Sequence, residues 1–455
     1  MRLRDIQRWA ACLLVSLALG NINILAQQVR AESASSAGSV VDNSRERGAS
    51  GSETKRSAPT VVSLQTLVAE ALEQNPEIIA MQRSFDMMRA RIPQAKALPE
   101  PMLSYGYAGN AVPLPPFDIQ KSDPASARTL SFTQELPFPG KLAIKGKMAN
   151  VAAEAEWWNY EQVRLNVVAE VKDAYFDLYY LYKATETIEK NKELLEKFVK
   201  IAEASYSVGK GIQQDVLKAQ VEVSKLVDQL TVLEQRKQTA EARLNSLLFR
   251  EMETPLGRPE EVKPREFTYS LTDLREMALT NFPTLKAQRR RIDREQYGVE
   301  LARKDFYPDF NVGVTYFNRP GLPEMYAVNV GVKIPLYFWQ KQRPAVAEAT
   351  ASAATEKQRL ENTTTLLFFR IKDRYLAATT AQRLVKLYGT TIIPQSSLSL
   401  ESAISGYEVG KVDFLTLLDN LVTLLNYELS YYEQLSNEEK AIAALEPFVG
   451  INLRP

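Results

Sequence analysis

Histidine is absent from all 455 residues, and the only cysteine is Cys12. These two gaps exclude Ser/His/Asp and Cys/His catalysis, His-ligated metal sites and structural disulfides together. No residue is expected to be catalytic, and neither a metal nor another cofactor is expected. An excess of one charge is missing too: 56 Lys+Arg stand against 55 Asp+Glu, a formal net charge of +1. Nothing in that balance asks for a nucleic acid partner. The acids of "NEEK" at Asn437 have the spacing of exposed helix charge, and "QRRRIDRE" at 288–295 offsets its arginines with acids, so both read as solvated helix faces. Beyond the N-terminus no apolar run reaches transmembrane-helix length. If the mature chain enters a membrane, it must do so as strands.

What is present begins with Arg2, Arg4 and Arg8 ahead of a short apolar run at 10–19, the pattern of a secretory signal. A signal peptide is expected over 1–31, with cleavage after Ala26 or Ala31. Cys12 precedes most of the apolar run instead of following it, so no lipid anchor is expected. Residues 32–60 are small and polar, too poor in apolar surface to fold, and read as a flexible leader.

The remainder is written twice. "SLQTLVAEALEQNPEI" from Ser63 aligns with "SLTDLREMALTNFPTL" from Ser270, carrying Pro76 onto Pro283. "LPFPGK" around Pro137 answers "IPLYFWQK" around Pro335, and "VKDAYF" with Lys172 answers "IKDRYL" with Lys372. "YSVGK" from Tyr206 answers "YEVGK" from Tyr407. The expected organisation is a first repeat over 61–253, a Pro-rich linker over 254–267, a second repeat over 268–450 and a tail at 451–455. Each repeat reads as a helix, two strands and a long helical hairpin. The proline in each opening helix either starts a new helical segment or bends the one present.

The hairpins carry the clearest pattern. After the turn at 208–212, apolar residues recur at Val216, Ala219, Val223, Leu226, Leu230, Leu233, Ala240, Leu244 and Leu247, a heptad seam. After the turn at 409–413 there are two seams, one through Phe414, Leu417, Leu421, Leu424, Tyr431, Leu435, Ile442 and Leu445, the other through Leu418, Val422, Leu425, Leu429 and Tyr432. A helix with two seams has neighbours on both sides. Residues 140–206 contain no proline and predict one helix on the order of 90 Å long. The aromatic run "KDAYFDLYYLY" from Lys172 lies deep inside that helix and reads as packing.

Four short strands alternate. "MYAVNVGVKI" within 325–335 sets Tyr326, Val328, Val330 and Val332 against Ala327, Asn329, Gly331 and Lys333, and "DFNVGVTYF" within 309–318 does the same. The first-repeat strands, about 101–109 and 128–137, alternate less cleanly. One face suits lipid and the other water, as in an outer-membrane barrel strand; edge hairpins of a soluble sheet share the alternation. Four strands cannot close a barrel, and an open edge in lipid strands backbone polar groups, so three chains sharing twelve strands is the expected solution. Phe138 and the cluster Tyr337, Phe338 and Trp339 would then sit at strand ends as a membrane-interface girdle.

In the order and duplication of these features, over roughly residues 60–450, the chain resembles the TolC family of outer-membrane efflux channels, and "QELPFPGKL" at 134–142 is similar to its heavy-metal-efflux branch. The resemblance implies a mainly α fold with β: tandem helical hairpins forming a periplasmic α-barrel, plus four strands per chain in a 12-stranded trimeric transmembrane β-barrel. It implies a homotrimer in the outer membrane that docks with a periplasmic adaptor and an inner-membrane pump of the resistance-nodulation-division type. It makes Gly209, Lys210, Gly211, Gly410 and Lys411 adaptor-docking tips, and puts Asp419 at the periplasmic gate, with Thr416 where a second aspartate is common. The alternatives are a soluble periplasmic coiled-coil adaptor or scaffold, and a duct for type I protein secretion.

Overall fold

The computed structural model describes residues 61–108, 126–319 and 321–454. The expected signal peptide and leader, and the tail residue at 455, lie outside the described residues. The first repeat runs β1 (Val61–Val62), α1 (Leu64–Gln74), α2 (Pro76–Lys96), β2 (Met102–Ala108), β3 (Ala127–Leu136), α3 (Lys141–Ser207) and α4 (Gln213–Leu247). After β4 (Arg258–Pro259), the second runs α5 (Leu271–Asn281), α6 (Pro283–Lys304), β5 (Asp309–Asn318), β6 (Met325–Lys333), α7 (Gln342–Leu387), a π turn (Tyr388–Ile392), α8 (Ile393–Glu408) and α9 (Phe414–Val449).

Of the two roles open to Pro76 and Pro283, both take the first and start a new helix. A residue before proline is pushed out of the helical region, and Asn75 and Phe282 are extended, at ψ 121° and 114°. Each proline then stands in the first turn, where its missing N–H has no intrahelical partner to lose. Asn75 also caps the new helix, its Oδ1 accepting from the Glu77 amide at 2.9 Å, while its Nδ2 donates to the Leu247 carbonyl at 3.0 Å. The same residue thus ends α1 through its backbone, begins α2 through its side chain and ties both to the foot of α4.

The 67 residues of α3 form one helix about 100 Å long at roughly 1.5 Å per residue. Nothing interrupts it, and its buried stripe includes Val171, Tyr175, Leu178, Leu195 and Ala202. Tyr175, Phe176 and Tyr179 are all buried, so the aromatic run is packing. Against α3 lies the α4 seam, with Ala219, Leu226, Leu233, Ala240 and Leu244 buried. Both seams of α9 are occupied: Leu417, Leu421 and Leu424 on one, Leu418 and Leu425 on the other, with α3 on one flank and α7 and α8 on the other. The helices are therefore ordered α4, α3, α9, α8, with α4 and α8 at the two edges.

The helix from α7 to α8 departs from its counterpart α3. Pro394, the second residue of α8, lacks an N–H and would press on the carbonyl four residues back. The wider π turn immediately before it absorbs that residue without ending the helix.

The linker carries structure of its own. β4 pairs in parallel with β1, Val61 opposite Arg258. The Tyr175 hydroxyl locks this strap, donating to the Val62 carbonyl at 3.2 Å and accepting from the Glu260 amide at 2.9 Å. Burial pushes this phenol up to about 12, so it remains a donor at any physiological pH. Nearby, the buried Lys172 ammonium donates to Glu446 at 2.6 Å and to Asn452 at 3.0 Å. The acids of "NEEK", expected on a solvated face, are instead buried: Arg454 reaches Glu438 at 3.0 Å and also pairs with Glu439, which fastens the chain's tail to α9.

Candidate functional site

One sheet contains all four long strands, in the order β2-β3-β5-β6, every pair antiparallel. Its central pair, β3 with β5, joins the two repeats. Register puts Leu103 opposite Phe132, Phe132 opposite Val314 and Val314 opposite Val328, so the apolar residues of every strand share a face. That face is bare: Leu103 is 68% exposed, and Val328 and Val330 are each 70% exposed. The opposite face carries Ser104, Ser131, Thr133, Asn311, Thr315 and Asn329, with Ser131 and Thr315 hydrogen-bonded at 3.0 Å. Water would reverse this arrangement; hydrocarbon outside and water inside explains it. Among the described residues no helix is long and apolar enough to cross a membrane.

Aromatic side chains collect at the end of the sheet where the helices begin. Phe138 stacks on Tyr307 with ring centroids 4.6 Å apart, and its amide donates to Asp309 at 2.7 Å. Tyr337, Phe338 and Trp339 follow β6 and are exposed, Phe338 and Trp339 packing edge to face at 5.1 Å. Since Asp309 pairs with Lys333 on β6, both clusters mark one level. The buried Lys141 ammonium braces it, at 3.1 Å from Asp305 and 2.9 Å from Asp309.

The two Y-x-V-G-K turns are near-copies in three dimensions. Gly209 (φ 73°) and Gly410 (φ 71°) are left-handed, which favours glycine, and space is open beyond both. In the first, the Lys210 amide donates to the Ser205 carbonyl at 2.9 Å; in the second, the Lys411 amide donates to the Gly406 carbonyl at 2.8 Å. Both lysines are exposed. Gly211 differs from the two turn glycines in having no left-handed φ: a Cβ there would meet the Ser205 Cβ at 3.2 Å. The second turn solves that crowding the other way round, with Val412 at the corresponding position and Gly406 making room for it. Tyr407 packs on Phe414 at 5.8 Å, whereas its counterpart Tyr206 is exposed.

Past the second turn, the carboxylate of Asp413 caps α9 by accepting from the Thr416 amide at 3.0 Å. Hydrogen bonds from Thr416 hold this carboxyl below its ordinary value. Thr416 and Asp419 are both exposed on the opening turns of α9. Asp215, on the first turn of α4, is pushed up by burial and then by the charge of Asp413. The repulsion falls on Asp215 because Asp413, held by Thr416, ionises first. This pair of acids, one after each turn, escaped the sequence reading; its signal was an aspartate a few residues beyond each V-G-K.

These features define a class: a tandem-repeat outer-membrane duct, with strands for the bilayer and helical hairpins beyond it. Residues 67–248 and 274–450 match the outer membrane efflux protein family, and the chain belongs to that family. It is 23% identical over 406 residues to the cobalt-zinc-cadmium resistance protein CzcC of Cupriavidus metallidurans, covering 87% of this chain and 91% of that one. The fold superposes on the outer membrane protein VceC of Vibrio cholerae with a TM-score of 0.73 at 18% identity, spanning 86% of this chain and 97% of that one. The open-state MtrE channel of Neisseria gonorrhoeae gives a TM-score of 0.71 at 16% identity, spanning 86% and 89%.

Proposed function

We propose that this outer-membrane efflux channel works as a passive homotrimeric exit duct, docking with a periplasmic adaptor and drawing its energy from an inner-membrane pump of the resistance-nodulation-division type. The observation that carries the trimer is the sheet: its apolar face is bare, and its edge strands β2 and β6 each have one neighbour within the chain. Edge-to-edge pairing of three chains closes twelve strands and leaves no backbone group unpaired in lipid. The helical edges agree, since α4 exposes Leu217 and Val221 and α8 exposes Leu398. The domain limits follow the repeats, with the linker as a strap between them.

Within that assembly Gly209, Lys210, Gly211, Gly410 and Lys411 form the adaptor-docking tips, Asp419 lines the periplasmic gate beside Thr416, and Phe138, Tyr337, Phe338 and Trp339 form the membrane-interface girdle. No chemical step is assigned to the duct. The cargo is metal cations, of the kind to which the Cupriavidus relative confers resistance. A chain without histidine, whose one cysteine lies in the expected signal peptide, suits that role, because soft or borderline cations meet no tight ligand set on the way out. A soluble adaptor would not leave an apolar sheet face bare, and the family match disfavours that alternative.

The test is purification in detergent, mass by light scattering and single-channel recording in planar bilayers. A trimer with steady conductance is expected, with no sub-micromolar zinc binding by calorimetry. A detergent-free soluble monomer would sink the proposal.

A further inference from the structure

The polar face of the sheet contains three glycines, each beside a polar side chain of a neighbouring strand. Gly106 pairs with Thr129, Gly313 with Thr133 and Gly331 with Asn311. A Cβ built on Gly106 would lie 3.3 Å from the Thr129 hydroxyl, and one on Gly313 would lie 3.2 Å from that of Thr133. There the neighbouring hydroxyl would have to give by only a few tenths of an ångström. Gly331 is different. A Cβ there would stand 2.8 Å from Cγ and 3.0 Å from Nδ2 of Asn311, and nearer still to its Oδ1. The Asn311 amide therefore lies in the space that any other residue at 331 would fill, flat across the backbone of β6.

We infer that Gly331 sets the bore of the duct at the end of the strands nearest Asp309 and Lys333, by giving the Asn311 amide a place along the wall. The inference rests on the duct reading, in which the polar face lines the lumen and each such pair occurs once per protomer. β5 is paired on both sides, with β3 and with β6, so its backbone cannot yield when a methyl group is placed at 331. The side chain of Asn311 moves instead. On one side it meets the new methyl and on the other it meets Glu135, its partner on β3, so the free direction is away from the sheet. Three amides turned inward narrow the passage with neutral groups. The change falls on the size of solute admitted, and charge selectivity stays as it was.

The experiment uses the full chain in planar bilayers, comparing wild type, Gly331→Ala, Asn311→Ala and the double variant. Conductance is read together with exclusion of polyethylene glycols of graded mass, which gauges the bore. Gly331→Ala is expected to lose conductance and to exclude smaller polymers. Asn311→Ala should match wild type, because an amide lying flat occupies none of the lumen. The double variant should return to wild type, since no amide remains to be displaced. Wild-type values for Gly331→Ala overturn the inference, as do a gain of conductance in Asn311→Ala or a double variant that stays as narrow as Gly331→Ala. If Gly331→Ala does not assemble, Asn311→Ala decides alone: unchanged conductance supports the inference and increased conductance overturns it. A wild-type chain that forms no channel defeats the duct reading itself, an outcome none of these variants can mimic.

Discussion

At the scale of single residues, the tips show how little separates a surface carboxylate from one with a task. Asp413 is fixed by the hydrogen bond it accepts from the Thr416 amide, Asp215 feels its charge, and Asp419 sits exposed further along α9. The signs of the two shifts are opposite. Asp413, held low, stabilises the start of α9 above the ordinary carboxylate value of 3.8, and this contribution is lost as pH falls through its lowered pKa. Asp215, held high, disfavours the folded tip once ionised; that penalty is absent below 3.8 and complete above its raised pKa. Asp215→Asn should therefore increase hydrogen-exchange protection of the first turn of α4 at neutral pH, and the gain should vanish in acid below 3.8. Equal protection in the two proteins at neutral pH would mean that the acid pair is uncoupled. For the proposed gate, Asp419→Ala should shift conductance or weaken cation preference while adaptor binding persists, modestly, because Thr416 leaves one carboxylate ring per trimer. Unchanged conductance and selectivity would make Asp419 ordinary helix surface.

At the scale of elements, the parts of the fold that were legible in the sequence are those governed by period. The seam on α4 was read residue by residue because burial on a helix repeats every three or four positions, and Leu226, Leu233 and Leu244 are where that rule puts them. The strands were legible for the same reason, at a period of two. The π turn was not: its trace is the lone Pro394, and proline in a helical stretch is equally compatible with a break, a kink or a bulge. Nor was the strap between β1 and β4, whose partners are far apart in sequence and which includes a proline. The Lys172–Glu446 pair belongs to this group, since neither residue has a local pattern that announces burial. Removing one partner leaves the other charge buried, so Lys172→Met should cost about 3–5 kcal/mol, lowering the temperature at which the purified assembly dissociates. Joining it with Glu446→Leu should recover part of the loss. If the double variant is no better than the single one, the hydrogen bonds that Glu446 accepts from the tail amides matter more than the ion pair.

At the scale of the whole molecule, the deciding fact is which way the sheet faces, and the sequence left that open for the first repeat. Register closes the question, because pairing β3 with β5 puts Leu130 beside Tyr316 and Phe132 beside Val314. The weakly alternating strands thereby take their orientation from the strongly alternating ones. Adjacent residues of β6 now make opposite demands. Val328 points to the bare apolar face and Asn329 to the polar one, next to Gly313. An arginine on the lipid side of a barrel near mid-membrane costs about 2–4 kcal/mol, and a trimer incurs it three times. Val328→Arg should therefore prevent outer-membrane assembly, leaving little trimer in the membrane fraction. Asn329→Arg adds the same charge one residue along, on the wetted wall. It should assemble at wild-type yield and instead reduce cation passage, seen as a shift in reversal potential in bilayers under a salt gradient. A soluble sheet predicts the converse, with Val328→Arg tolerated on an exposed face and no conductance to shift. Trimer yield and reversal potential from this pair of neighbours therefore separate the membrane barrel from any soluble fold.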